Sequence, residues 1–293
     1  MPNNFNKKLI LGTVQMGLAY GINNKIGKVS LNKSLDILKY AFDNGIRTLD
    51  TAEVYGDAHH IIGLFHERYS DSKFKIITKF PHSIKRDLIK DKLLDYLNVL
   101  SVKSLDVLMF HSFESFQKNK KSLDLLAEMK LNGAINHIGV SVYTNDQIKL
   151  LINEDLITVV QLPFNMLDNL LVKGKLLEDM KSKGKIVHTR SAFLQGLFFK
   201  DLKENNKVLK NLSKELETLN QIVVDSDCLM EELALSYCTV QNNIDNVIIG
   251  VDSIEQLNLN IKASSYPISE DSINQINKIR IKDLSFLNPT LWK

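Results

Sequence analysis

Scarcity says much about this chain before any motif does. Its 293 residues include two cysteines, five prolines, thirteen glycines and one tryptophan. Two cysteines, Cys228 and Cys238, cannot build a disulfide framework. Both fall in a stretch that reads as one helix, which sets them about 15 Å apart along its axis at the usual rise per residue, too far for a bridge. They are expected to be reduced core thiols of a cytoplasmic protein. The prolines and glycines never gather into a linker, and no tract is of low complexity, so residues 1–293 are expected to form one domain. Residues 283–293, with a proline and the lone Trp292, read as a C-terminal tail over its mouth. No apolar run approaches the roughly 20 residues needed to span a bilayer, and the opening MPNNFNKK carries neither a long apolar core nor a small-residue cleavage site. Neither sign of charge dominates: 37 basic and 34 acidic residues leave a net +3. That balance gives no reason to expect nucleic acid or an acidic membrane as partner. Metal-ligand spacing is missing too. His59 and His60 are adjacent, so they point to different sides of a helix and make a poor metal pair.

What is present is apolar and periodic. Hydrophobic residues make up 44% of the chain and charged residues 24%, enough for a substantial core. Eight short runs rich in Ile, Val and Leu occupy residues 9–11, 46–49, 74–77, 105–110, 137–140, 158–161, 185–188 and 246–249. Runs of that kind are what parallel strands buried on both faces look like. Amphipathic segments lie between them. Leu35, Leu38 and Phe42 share one helical face that ends at Gly45, with Ser30 as its N-cap. Leu125, Leu126 and Met129 mark another helix ending near Gly133, and Ala234, Leu235 and Cys238 a late one. Residues 17–29 read as a glycine-punctuated loop. Eight βα units without a break predict a closed (β/α)8 barrel, for which the length is also typical.

In such a barrel the chemistry gathers at the C-terminal ends of the strands. The polar residues that follow the apolar runs are therefore the candidates: Asp50, Thr51, Glu53 and Tyr55; Thr78 and Lys79; His111; Ser141; Gln161 and Asn165; Thr189, Arg190 and Ser191; Gly250, Asp252 and Ser253. Asp50, Lys79 and His111 should converge on one mouth.

These residues resemble the aldo-keto reductase family. The segment GIRTLDTAEVYGDAHHIIG is similar to that family's signature around its catalytic Asp and Tyr, IITKF to its Lys strand and LDVLMFHS to its His strand. IGVSVY, VQLPFN, RSAFLQGLF and IIGVDSIEQLNLN are similar to its later cofactor-binding strands and loops. The likeness runs from about Leu9 to about Ile261. It implies a barrel that reduces carbonyls with NAD(H) or NADP(H), with Asp50, Tyr55, Lys79 and His111 as the catalytic group. The wording RSAFLQGL and GVDS is similar to bacterial relatives associated with polysaccharide and cell-surface sugar synthesis.

The chemistry suits the residue types. Hydride transfer leaves an alkoxide that needs a proton, and Tyr55 is the acid. Its phenol, with an ordinary pKa of about 10, needs help at neutral pH. Lys79 is expected to supply it by lowering that pKa, with Asp50 paired to Lys79. His111 would polarise the substrate oxygen. Singly, each has a plainer explanation: Asp50 as a helix cap, Lys79 as a solvated charge, His111 as a structural residue and Tyr55 as packing. Their order at successive strand ends is what favours chemistry.

On the cofactor side, the resemblance assigns the nicotinamide carboxamide to Ser141 and Gln161. Val142 stands where the family usually has Asn. Arg190 is matched to a side chain that lies against the nicotinamide ring, with Ser191 beside it. Gly12 and Thr13 match the family's opening cofactor contact, although a tight turn would also explain the glycine. Ser253 and Gln256 spell an S-x-x-Q capping box at a helix N-terminus that attracts phosphate, and Asn260 matches an adenine contact. Asp252, where NADPH-preferring relatives place a base, tilts against strict NADPH use, with Lys262 as a nearby alternative base. The expected partner is a small carbonyl compound or sugar. Other readings remain: a non-catalytic nicotinamide-binding regulatory subunit, an epimerase or isomerase using transient redox, and a barrel lyase. Substrate choice would lie in residues 17–29, the stretch after His111 and the tail, with Tyr20, Phe113 and His82 among their side chains.

Overall fold

The structure, a computed structural model, describes residues 8–22, 24 and 27–292. Eight strands run in sequence around a closed barrel: β1 Leu9–Gly12, β2 Thr48–Asp50, β3 Lys75–Lys79, β4 Leu105–Phe110, β5 Ile135–Ser141, β6 Val159–Pro163, β7 Ile186–Arg190 and β8 Asn246–Gly250. Every neighbouring pair is parallel, and β1 closes on β8. Around them lie α1 Val14–Gly17, α2 Leu31–Asp43, α3 Ala58–Arg68, α4 Ile89–Val99, α5 Phe113–Lys118, α6 Leu123–Leu131, α7 Asn145–Ile152, α8 Leu170–Ser182, α9 Lys207–Asn211, α10 Ser213–Asp225, α11 Met230–Thr239, α12 Ile254–Ala263 and α13 Glu270–Lys278.

Strand side chains alternate between the inside of the barrel and its outer face. Ile10, Ile77, Val107, Met109 and Val159 form a small cluster made only of strand residues, the barrel interior. Leu9, Leu11, Leu49, Ile76, Leu108 and Phe110 face the other way and join the helices in the main core. Each such side chain, fully withdrawn from water, contributes about 1.5–3 kcal/mol before the entropy of ordering it. In α2 the logic is local: Ser30 precedes the first turn, Leu35, Ile37, Leu38 and Ala41 are buried, and the chain leaves through Gly45 at φ +89°.

Every strand but β4 reaches one or two residues past its apolar run. Asp50, Lys79, Ser141, Arg190 and Gly250 are the last residues of their strands rather than the first residues of loops, because ladder hydrogen bonds use the backbone and are indifferent to side-chain polarity. β2 also starts later than its run, at Thr48. Cys228 does not share a helix with Cys238 as expected but lies in the loop before α11; both cysteines are free thiols. The tail from Leu284 folds into two short 3-10 turns, and Trp292 donates from Nε1 to the Phe286 carbonyl at 3.0 Å. No helix among the described residues is long and apolar enough to cross a membrane.

Candidate active site

Register brings the candidates onto one rim. Gly12 pairs with Asp50 on one side and with Gly250 on the other, and Ser141 pairs with Gln161. Asp50 and Lys79 are 4% and 1% exposed. The Lys79 ammonium donates to Asp50 Oδ1 at 2.6 Å and to the Thr51 carbonyl at 3.0 Å. Gln161 donates from Nε2 to Asp50 Oδ2 at 2.8 Å, so both carboxylate oxygens are engaged. Burial pulls Lys79 below the usual lysine range while the Asp50 carboxylate opposes that fall; the short contact makes the two an ion pair.

Tyr55 lies in the turn between β2 and α3, and its ring centroid is 5.3 Å from Lys79 Nζ. Gly17 at the end of α1 backs this turn so closely that a Cβ there would run into the Tyr55 carbonyl. His111, just beyond β4, meets Tyr55 edge-on with ring centroids 5.7 Å apart. Burial and then the nearby Lys79 charge lower the His111 pKa to about 3, and its Nδ1 is buried without a hydrogen-bond partner. The imidazole is therefore neutral through the working pH range. For Tyr55 the direction differs from expectation: burial, then the Asp50 carboxylate, raise the phenol above its ordinary value, and Arg190 opposes them. Lys79 does not win because its charge is already matched by Asp50. Tyr55 thus keeps its proton, which an alkoxide, a stronger base than a phenolate, can still remove.

These groups open into a cavity of about 690 Å³, within the range of cofactor and ligand sites. Its wall includes Asp50, Tyr55, Lys79 and His111 with Gly12, Thr13, Ser141, Gln161, Arg190, Ser191, Gly250, Asp252, Gln256 and Asn260. Pro289 and Thr290 of the tail line it as well. Among the described residues, no group of three or more His, Cys, Asp or Glu is gathered to hold a metal ion.

A family model described as "Aldo/keto reductase family" matches residues 8–281. The chain belongs to the aldo/keto reductase family. This reductase is thus an oxidoreductase acting on carbonyl groups, and its family works with a nicotinamide cofactor. It is 25% identical over 279 residues to "Uncharacterized oxidoreductase YqkF" of Bacillus subtilis, covering 86% of this chain and 89% of that one. It is 24% identical over 303 residues to "L-glyceraldehyde 3-phosphate reductase" of Escherichia coli, covering 89% and 88%. Its fold matches the holo form of aldo-keto reductase AKR11C1 from Bacillus halodurans with a TM-score of 0.77, at 21% identity over 93% of this chain and 92% of that one.

The wall of the reductase fits a dinucleotide. Buried polar atoms stand unsatisfied on it, namely Gln15 Oε1 and Asp252 Oδ1, and such atoms call for a ligand partner. Gly12 and Gly250 leave the wall bare of side chains there; a Cβ on Gly250 would meet the Gln15 amide. Ser141 and Gln161 are 4% and 2% exposed at the strand ends. Ser253 is not part of the wall; it caps α12 by accepting from the Gln256 amide at 3.3 Å. The capping box is altered, because the Gln256 side chain accepts from the Asp252 N–H at 2.8 Å instead of from that of Ser253. Lys262, the alternative base, is not on the wall either. Where the family usually has Asn, the Val142 side chain is fully buried and its carbonyl accepts from Arg190 at 3.0 Å.

Several wall residues escaped the sequence reading. Gln15 sits in a one-turn helix too short to show periodicity. Tyr143 stacks against the Arg190 guanidinium, 4.1 Å from ring centroid to Cζ. Gln195 donates to the Tyr20 hydroxyl at 2.8 Å across 175 residues of sequence. The loop carrying Gln195 is strained: Ser191, Leu194 and Gln195 all adopt positive φ, at +66°, +46° and +55°, a region costly for side-chain-bearing residues. His82, placed among the substrate loops by sequence, stacks on His111 with centroids 4.7 Å apart.

Proposed function

We propose that this chain, working as one barrel in the cytoplasm, reduces the carbonyl of a small aldehyde, ketone or sugar and uses NADH at least as well as NADPH. The observation that carries the reading is the buried Lys79–Asp50 pair beneath Tyr55, with the uncommitted His111 beside it at the cavity mouth. Ser141 and Gln161 would hold a reduced nicotinamide, which would supply the hydride for the carbonyl carbon. The neutral His111 donates an N–H to the carbonyl oxygen and polarises it. Tyr55 then delivers its phenolic proton to that oxygen, completing the alcohol. The Lys79 ammonium, fixed by Asp50, lies close enough to steady the phenolate left behind. Gln161 holds the second Asp50 oxygen and so keeps Lys79 oriented.

Cofactor preference follows from Asp252 and Gln256, which line the wall with no lysine or arginine of α12 beside them. A 2′-phosphate carries nearly two negative charges. At about 5 Å and an effective dielectric near 20, a carboxylate opposes each by roughly 3 kcal/mol, less where solvent screens it. A free 2′-hydroxyl can instead donate to Asp252 Oδ1, which has no partner among the described residues. Burial raises the Asp252 pKa, which favours its taking such a donor. The test is a screen of cofactor oxidation across aldehydes, ketoses and keto-sugars, with dissociation constants for NADH and NADPH on wild type and Asp252→Arg. NADPH binding much tighter than NADH in wild type would sink the cofactor half of the reading.

A further inference from the structure

Arg190 carries the one cationic charge on the cavity wall that has no carboxylate partner among the described residues. Lys79 is matched by Asp50, and Asp168, which also feels the Arg190 charge, is held by Lys173 at 2.6 Å. Arg190 is instead tethered by neutral groups. One guanidinium N–H goes to the Val142 carbonyl, and the plane rests against the Tyr143 ring. Of its five N–H donors, the others find no acceptor among the described residues. The remaining acidic wall residues, Glu231 and Asp252, belong to α11 and to the turn after β8, and form no ion pair with Arg190.

The charge is also aimed. Its field reaches Tyr55, His111 and Lys79, lowering all three, whereas Asp252 answers to burial and to Gln256. The reacting end of the cavity is therefore net positive, since Lys79 and Asp50 cancel and His111 is neutral. A half-buried cation without a counter-ion is costly unless something anionic completes it, and a planar fork fixed on two sides is prearranged for a carboxylate or phosphate.

We propose that the physiological substrate is a carbonyl compound bearing an anionic group, carboxylate or phosphate, and that Arg190 binds that group. The proposal rests on the reductase reading above. It is tested with matched pairs: succinic semialdehyde against butanal for a carboxylate, and glyceraldehyde 3-phosphate against glyceraldehyde for a phosphate. Wild type should favour the anionic member of at least one pair, and the pair identifies which anion. In Arg190→Gln that preference should fall about tenfold to a hundredfold, the usual value of a hydrogen bond to a charged group, mainly through KM. Arg190→Lys should keep part of it, because charge survives while the fork is lost. A preference unmoved in Arg190→Gln, with neutral aldehydes still reduced, overturns the proposal and leaves the reductase reading intact. Equal losses on both members together with weaker NADH binding assign the guanidinium to the cofactor and also overturn it. Binding of succinate and of inorganic phosphate to the NADH-loaded protein, measured by calorimetry, decides the matter without turnover. One of them should bind, and bind about tenfold or more weaker in Arg190→Gln; affinities equal in both proteins refute the anion site.

Discussion

Lys79→Met asks how much the buried pair beneath Tyr55 matters. In the native protein Asp50 is 4% exposed and takes a hydrogen bond on each oxygen, from Lys79 at 2.6 Å and from Gln161 at 2.8 Å. Methionine fills nearly the same space but donates nothing, so the Asp50 charge keeps one neutral amide for company, and the Thr51 carbonyl loses its donor. Breaking a buried pair by removing one partner costs about 3–5 kcal/mol. For a chain of this length, unfolding entropy of about 2.1 cal/mol/K per residue converts that to a Tm lower by roughly 5–8 °C. Scanning calorimetry on the purified variant measures it. Adding Asp50→Asn to Lys79→Met should recover a good part of the loss, because the unpaired charge is gone. Catalysis should not recover, since the ammonium 5.3 Å from the Tyr55 ring would still be missing. If Lys79→Met melted with wild type, or if the double variant were no better than the single, the ion pair would not be what stabilises this end of the barrel.

Tyr55→Phe should still bind NADH with near-native affinity while kcat falls about 10²–10⁴-fold, the usual contribution of a general acid; near-native turnover of an aldehyde would reassign the donor. Burial lowers His59 and His188 to about 4 and His111 to about 3. Between about pH 6.5 and 4 the unfolded chain therefore takes up protons that the native protein refuses, so stability falls as pH drops through that window. Urea midpoints measured from pH 7 to 4.5 should decline, and a flat series would contradict the burial of these rings. Gly17→Ala should lower kcat although residue 17 touches no reacting group, because its methyl displaces the turn that carries Tyr55. Unchanged kinetics and an unchanged melting temperature in that variant would show the turn to be compliant.

The barrel was readable because both faces of every strand are covered, which leaves continuous apolar runs separated by amphipathic segments. The placement of Asp50, Lys79 and His111 followed from that count, since parallel strands deliver their ends to one rim. Exact strand ends were not readable: Arg190 pairs in the ladder opposite Pro163 although it is charged. Nor was the state of Tyr55, because a pKa depends on the balance between burial and two opposed charges, which sequence order does not contain. Arg190 was assigned by likeness to a ring-stacking position, but its tether to Val142 and Tyr143 depends on the loop after β5 meeting the end of β7. The contact of Gln195 with Tyr20 was equally hidden, since the two are neighbours only after the barrel closes. Within the interior, His188 sits in an apolar run with nothing in the pattern to mark it, yet its Nδ1 is buried and unpaired.

The Gln161–Asp50 hydrogen bond crosses from β6 to β2 and joins residues 111 positions apart. Asp50, Tyr55, Lys79 and His111 all belong to the half of the chain that ends with α6, whereas Ser141, Gln161, Arg190 and Asp252 belong to the half that begins with β5. The rim is thus assembled from both halves of the chain. Contacts of such high sequence separation carry a loop-closure cost that local contacts avoid, and this one exists only where β2 and β6 share one closed cylinder. A chain severed between α6 and β5 would place Asp50, Tyr55, Lys79 and His111 on one fragment and Ser141, Gln161, Arg190 and Asp252 on the other. Neither fragment should turn over substrate by itself, and activity regained on mixing would report the meeting of the two half-barrels.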